Sequence, residues 1–62
     1  LEVGRIIKNK RFELKPMSPD EAVMQMDLLD KIFFIFTNDN SGDINVIYRR
    51  TDGNFGLIEP LK

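Results

Sequence analysis

The chain has 62 residues, a formal net charge of −1, and neither cysteine nor histidine. That composition excludes disulfides, Cys/His zinc sites and His-based catalytic triads, and the balanced charge argues against generic nucleic-acid binding. No apolar run approaches the ~20 residues of a membrane span, so no membrane partner is expected, and no acidic cluster has the spacing of a calcium loop. One domain at most fits in this length. A domain of this size buries only about 60 % of the surface its unfolded chain exposes and tends to need disulfides, a metal or oligomerisation. The chain opens on Leu1 rather than Met and shows no signal-peptide pattern. It is therefore expected to be a single domain, residues 1–62, cut from a longer cytoplasmic protein.

Residues 3–15 read as an extended segment, with Ile6, Phe12 and Leu14 on one parity and Arg5, Lys8, Lys10, Arg11 and Lys15 between them. Lys8-Asn9-Lys10 is a place for a bend, and Pro16 is expected to end the strand because it lacks a ladder donor. Ser18-Pro19-Asp20-Glu21 is a helix start. Ser18 caps, Glu21 completes a capping box, Pro19 occupies the first helical position, and both acids suit the positive end of the dipole. The helix is expected to run to Leu29 or Asp30. Ala22, Met26 and Leu29, widened by Val23, form its stripe, with Met24 and Leu28 extending apolar character around the side, as core or core edge or, in the alternative, as contacts with a partner.

Residues 31–37 form a strand with large apolar side chains on both sides. Strand residues alternate faces, so Ile32, Phe34 and Phe36 point one way and Phe33 and Ile35 the other. Asn38-Asp39-Asn40-Ser41-Gly42-Asp43 is turn chemistry. Residues 44–51 are the next strand, with Ile44, Val46 and Tyr48 on one parity and Asn45, Ile47 and Arg49 on the other. Asp52-Gly53 marks a hairpin. Residues 54–59 are the last strand, with Phe55 and Leu57 opposite Ile58, and Pro60 ends it. The order β-α-β-β-β predicts an α+β fold: a small four-stranded sheet with one helix on one face. The last three strands form an antiparallel meander, and the first strand lies beside either the second or the fourth.

One helix covers one face. If Ile32, Phe34, Phe36 and Ile47 face it, then Phe33, Ile35, Val46 and Tyr48 form an apolar patch on the other. Left open, such a patch is an aggregation liability; paired with its own copy about a two-fold axis it becomes a self-complementary interface. A homodimer is the leading expectation, by sheet-on-sheet packing or by strands shared across the axis. The alternative is cover by the segment before the helix or by the rest of a longer protein. Arg49 and Arg50 point to opposite faces, as a solvated rim or as ion-pair donors to Glu13, Asp27 or Glu59 across the interface. The basic residues 5–15 read as a charged edge that blocks open-ended strand addition. RNA or ribosome contact through this edge from Arg5 to Lys15, with Lys10 and Arg11 in it and Arg49 and Arg50 aiding, is the alternative, without an aromatic stacking platform. Nothing points to an enzyme, a cofactor or a small-molecule substrate: there is no Gly-rich phosphate loop and no carboxylate pair in an evident cleft.

The residues also resemble a known family. Lys10-Arg11-Phe12-Glu13-Leu14-Lys15-Pro16-Met17 followed by Ser18-Pro19-Asp20-Glu21-Ala22 is similar to its KRF-x-LKPM-x-x-EEA signature. Phe33-Phe34-Ile35-Phe36-Thr37-Asn38 is similar to its FFVFTN strand. Val46-Ile47-Tyr48-Arg49-Arg50 and Asp52-Gly53-Asn54-Phe55-Gly56-Leu57-Ile58-Glu59-Pro60 are similar to its VVYRR-x-DG-x-YGLIEP ending. The family is the C-terminal domain of the long-form ribosome hibernation promoting factor, also described as a sigma-54 modulation protein or ribosome-associated inhibitor. The resemblance runs from about residue 3 to 60. It implies a bacterial factor of stationary phase or stress. In that family an N-terminal domain, absent here, binds the small ribosomal subunit and blocks translation, while the C-terminal domain homodimerises and ties two ribosomes into an inactive pair. The family's dimer contacts, carried over by position, are Phe33, Ile35, Val46 and Tyr48. Where the family often has Gly-His-Asp or Gly-Lys-Asp before its phenylalanines, this chain has Asp30-Lys31-Ile32. Ile35 and Phe55 are conservative replacements.

Overall fold

A computed structural model of the chain describes residues 3–11 and 13–61; Phe12, expected on the apolar parity of the first segment, lies outside them. The elements run β1 (Pro16–Met17), α1 (Pro19–Leu28), β2 (Phe33–Asn38), β3 (Ile44–Arg49) and β4 (Phe55–Ile58). They build one mixed sheet in the order β1-β2-β3-β4. β1 is parallel to β2, and the two later pairs are antiparallel. The α+β, β-α-β-β-β architecture is the expected one, and the first strand lies beside β2.

The first strand differs from expectation. Residues 3–11 and 13–15 form no regular element, and β1 is only two residues long. Pro16 opens the strand instead of ending it, which suits a residue without an N–H on the first position of an edge strand. The pairing reaches only Thr37 and Asn38, because the preceding residues diverge from β2. The Thr37 amide donates to the Lys15 carbonyl at 3.4 Å, at the outer limit of a hydrogen bond, and the ladder stops there.

α1 starts where its sequence predicts, and of the expected capping box the Ser18 half forms. Ser18 has extended backbone, its hydroxyl accepts from the Glu21 amide at 3.2 Å, and Pro19 follows it. The C-terminus is a Schellman motif. The Lys31 amide donates to the Met26 carbonyl and the Asp30 amide to the Asp27 carbonyl. Asp30 takes the left-handed position, with φ of 53°. Ala22 and Met26 are buried against Met17, Phe36 and Ile47, with Val23, Phe34 and Phe55 packed around them. Leu29, expected in the buried stripe, is the C-cap residue and is exposed, as are Met24 and Leu28: a ten-residue helix on a four-stranded sheet leaves its far side and its end to solvent. Ile32, expected to face the helix, is also exposed and lies just before β2. Its carbonyl accepts from the Arg49 amide at the end of the β2–β3 ladder, beyond Phe34, Phe36 and Ile47, the residues of that face that pack in the core with the helix.

The two hairpins differ in form. Between β2 and β3, Asn38 and Asp43 close the loop: the Asn38 amide donates to the Asp43 carbonyl at 2.8 Å, and Gly42 adopts φ of 77°. Between β3 and β4, Arg50 and Asn54 bracket three residues, with the Arg50 amide donating to the Asn54 carbonyl and Gly53 at φ of 88°. That is the three-residue loop in which a turn ends on a left-handed glycine. On the helix face, Asn38 Nδ2 donates to Asn45 Oδ1 at 2.8 Å, both residues being buried, while Asn45 Nδ2 has no partner. This buried amide pair interrupts an otherwise apolar face.

Candidate functional site

Register places the candidate residues. Phe33 stands opposite Tyr48 and Ile35 opposite Val46, while Phe34 stands opposite Ile47. The Arg49 amide donates to the Ile32 carbonyl and the Asn38 amide to the Asp43 carbonyl. Those are hydrogen-bonded pairs, so by alternation Phe33/Tyr48 and Ile35/Val46 are the non-hydrogen-bonded pairs, in which side chains stand closest. Phe34, Phe36 and Ile47 meet the helix. Phe33, Ile35, Val46 and Tyr48 therefore form two adjacent cross-strand pairs on the opposite face. Phe33 remains 49 % exposed, and no helix covers it.

The same register adds two residues. Val46 stands opposite Ile58 on β4, and Ile44 opposite Thr37 on β2. Ile44 and Ile58 are 55 % and 54 % exposed and extend the patch across three strands. Their parity was legible in the sequence; their adjacency was not, because it depends on how the hairpins set the register. Gly56 stands opposite Tyr48, and a Cβ there would collide with Cζ, Cε1 and Oη of that ring. The ring thus lies across the glycine backbone, held to the plane of the face.

Arg49 and Arg50 find partners inside the chain. Arg49 is on the helix side: its guanidinium is 3.5 Å from an Asp27 oxygen, reaches the Lys31 carbonyl at 3.4 Å and sits 5.4 Å from the Phe55 ring centroid. Of the three acids expected as acceptors, Asp27 is the one it meets, within the same chain. Arg50 Nε donates to Asp52 Oδ2 at 3.1 Å, and the Asn54 amide donates to Asp52 Oδ1 at 3.0 Å. The Asn54 amide first, and Arg50 second, hold the Asp52 carboxyl below the usual carboxylate range. Lys10 and Arg11 are exposed on the segment before β1, far in sequence from Arg49 at the end of β3 and Arg50 just after it.

A second feature borders the patch. Because Phe33 and Ile35 are in non-hydrogen-bonded pairs with β3, their own N–H and C=O groups point to the outer edge of β2, beyond the reach of the two-residue β1. Two clefts lie along that edge. One, of about 360 Å³, is lined by Met17, Glu21, Gln25, Phe34 and Ile35 among others; the other, of about 260 Å³, by Lys10, Leu29, Ile32 and Phe33 among others. Among the described residues, no group of acidic side chains is arranged to hold a metal ion, and no helix is long and apolar enough to cross a membrane.

These features define a small α+β module with one sheet face covered by its helix and the other apolar and open. Residues 2–57 match the family described as the sigma 54 modulation/S30EA ribosomal protein C terminus, and the chain belongs to that family. It is 54 % identical over 57 residues to the ribosome hibernation promotion factor of Bacillus subtilis (strain 168), covering 92 % of this chain and 30 % of that protein. It is 52 % identical over 54 residues to the protein of the same name from Lactococcus lactis subsp. cremoris (strain MG1363), covering 87 % of this chain and 29 % of that protein. The chain thus spans about three tenths of the length of these relatives.

Proposed function

We propose that these residues act as one homodimerisation domain of a ribosome hibernation factor, which pairs two ribosomes into an inactive particle. The observation that carries the reading is the open face: Phe33, Ile35, Val46 and Tyr48 in two close cross-strand pairs, flanked by Ile44 and Ile58. A contiguous apolar surface of this kind marks a protein contact. A two-fold axis lets one patch cover itself, and a stable pair is expected to bury about 1,200–2,000 Å² or somewhat less for so small a chain. The relatives' names supply the context of ribosome hibernation. Ribosome binding is assigned to the part of such a factor outside the matched stretch.

Two experiments test this. Sedimentation equilibrium of the chain at micromolar and lower concentration is expected to give a dimer; a chain that stays monomeric refutes the reading. A ribosome hibernation promotion factor carrying this chain in place of its own matching segment is expected to shift ribosomes to a doubled particle on a sucrose gradient. One observation favours a second reading, RNA contact: Arg5, Lys8, Lys10 and Arg11 are all exposed. RNA binding that falls steeply with salt and is lost when these four are replaced would support it.

A further inference from the structure

β3 turns its less apolar side to the helix. Asn45, Ile47 and Arg49 share that side, and Ile44, Val46 and Tyr48 share the open one. Burial within the chain favours the reverse. A slip of β3 by one residue against β2 carries all its side chains to the other face, and β4, bonded to β3, goes with it. Ile44, Val46, Tyr48 and Ile58 would then face the helix in place of Ile47, Phe55 and Leu57, and Asn45 and Arg49 would be released to solvent. The turn does not forbid the slip. The loop between Asn38 and Asp43 would change by one residue, and hairpin loops of ~2–5 residues are all common.

Arg49 does not hold the observed register. Its contacts with Asp27 and the Lys31 carbonyl lie at the exposed end of the strand, where an ion pair contributes little. Asn45 is placed differently. It is 1 % exposed and stands opposite Phe36 in the core. Its Oδ1 accepts from Asn38 Nδ2 at 2.8 Å, and its own Nδ2 has no partner. A half-satisfied buried amide is a poor source of stability. Its bond to Asn38 forms only in the observed register, because a slip of one residue puts the two side chains on opposite faces. Fixing register is the best-attested use of such a buried polar group.

We propose that the Asn38–Asn45 hydrogen bond pins the β2–β3 register and so keeps Ile44, Val46 and Tyr48, the apolar side of β3, outward for a partner. Both asparagines are positioning residues. The outward use of that side rests on the homodimer reading; the pin does not.

Overhauser contacts between α-protons read the register, since the Cα atoms of non-hydrogen-bonded pairs stand only ~4.5 Å apart. In the parent they are expected between Phe33 and Tyr48 and between Ile35 and Val46. Asn38→Ala leaves the buried Asn45 amide unpaired, a penalty the observed register bears in full and the slipped one escapes. Both contacts should weaken by about half or more, and the dimer should weaken with them in sedimentation equilibrium. Asn38→Ala also removes the acceptor of the Asn40 amide in the turn, so a second variant separates the two roles. Asn38→Ala/Asn45→Leu has no buried amide left to satisfy and carries an apolar side chain of similar shape on the helix side. It should regain both contacts, although the Asn40 bond is still lost. An Asn38→Ala chain that keeps both contacts at parental strength overturns the pin, as does a double variant that fails to restore them. A monomeric parent overturns the homodimer reading alone, and the contacts still decide the pin.

Discussion

Replacing Phe33 with alanine removes a ring that the chain itself covers only by half. Phe33 is 49 % exposed, and a phenylalanine offers roughly 200 Å² to burial, so about 100 Å² is left for a partner. At ~25 cal/mol per Å² that is roughly 2.5 kcal/mol, of which alanine keeps a minor part. A two-fold axis counts the loss twice, giving about 4 kcal/mol per dimer, close to a thousandfold in Kd. Within the chain, the covered half of the ring, its cross-strand pair with Tyr48 included, is worth about 2 kcal/mol by the same coefficient, alanine keeping a minor part. The variant should therefore melt at a lower Tm, and its association is compared where it is folded. Sedimentation equilibrium of parent and variant, with circular dichroism melts beside it, reads both quantities. A Phe33→Ala chain that is folded and dimerises as tightly as the parent would place the contact elsewhere and refute the argument from the open face.

Four further outcomes are expected. Gly56→Ala pushes the Tyr48 ring off the strand; with one tyrosine and no tryptophan in the chain, its fluorescence reports the move directly, and the dimer weakens. Asp30→Gly relieves a non-glycine residue at φ of 53° and should stabilise the chain by about 1 kcal/mol, seen as a higher Tm; no gain would mean the Asp30 side chain offsets its backbone strain. Asn38→Ala strands the buried Asn45 amide and should cost ~1–3 kcal/mol in denaturant melts. Asp52 should titrate below its reference of 3.8. A depressed carboxylate stabilises the turn above the unfolded pKa and loses that contribution as pH falls through the folded one. NMR titration of the Asn54 amide should follow this, and Arg50→Ala should move the midpoint upward.

Local chemistry wrote much of this fold into the chain. Ser18-Pro19-Asp20-Glu21 marks a helix start, because Ser18 accepts from the Glu21 amide, Pro19 has no N–H to leave unpaired, and both acids suit the positive end of the helix dipole. Alternation along Phe33-Phe34-Ile35-Phe36 and Val46-Ile47-Tyr48 separates the two faces before any partner is known, since a strand cannot present neighbours to one side. The turns at Gly42 and Gly53 follow from residues that tolerate positive φ.

Other features depend on pieces distant in sequence. Residues 3–15 have the composition of a strand, yet only Pro16 and Met17 pair, because pairing needs an edge within reach and the arm leaves β2 at Lys15. Asn45 shares its parity with Ile47, but only the register shows that it stands opposite Phe36 under the helix, where Asn38 Nδ2 donates to its Oδ1. Arg49 looks like a rim charge until the packing of α1 brings Asp27 to it. Ile44 and Ile58 join the open face only once both hairpins have set their registers. A side chain's parity is a local property of extended backbone and is legible in sequence. Which side chains become neighbours is set by strand pairing and by what the helix covers, and those are decided only when the whole chain is folded.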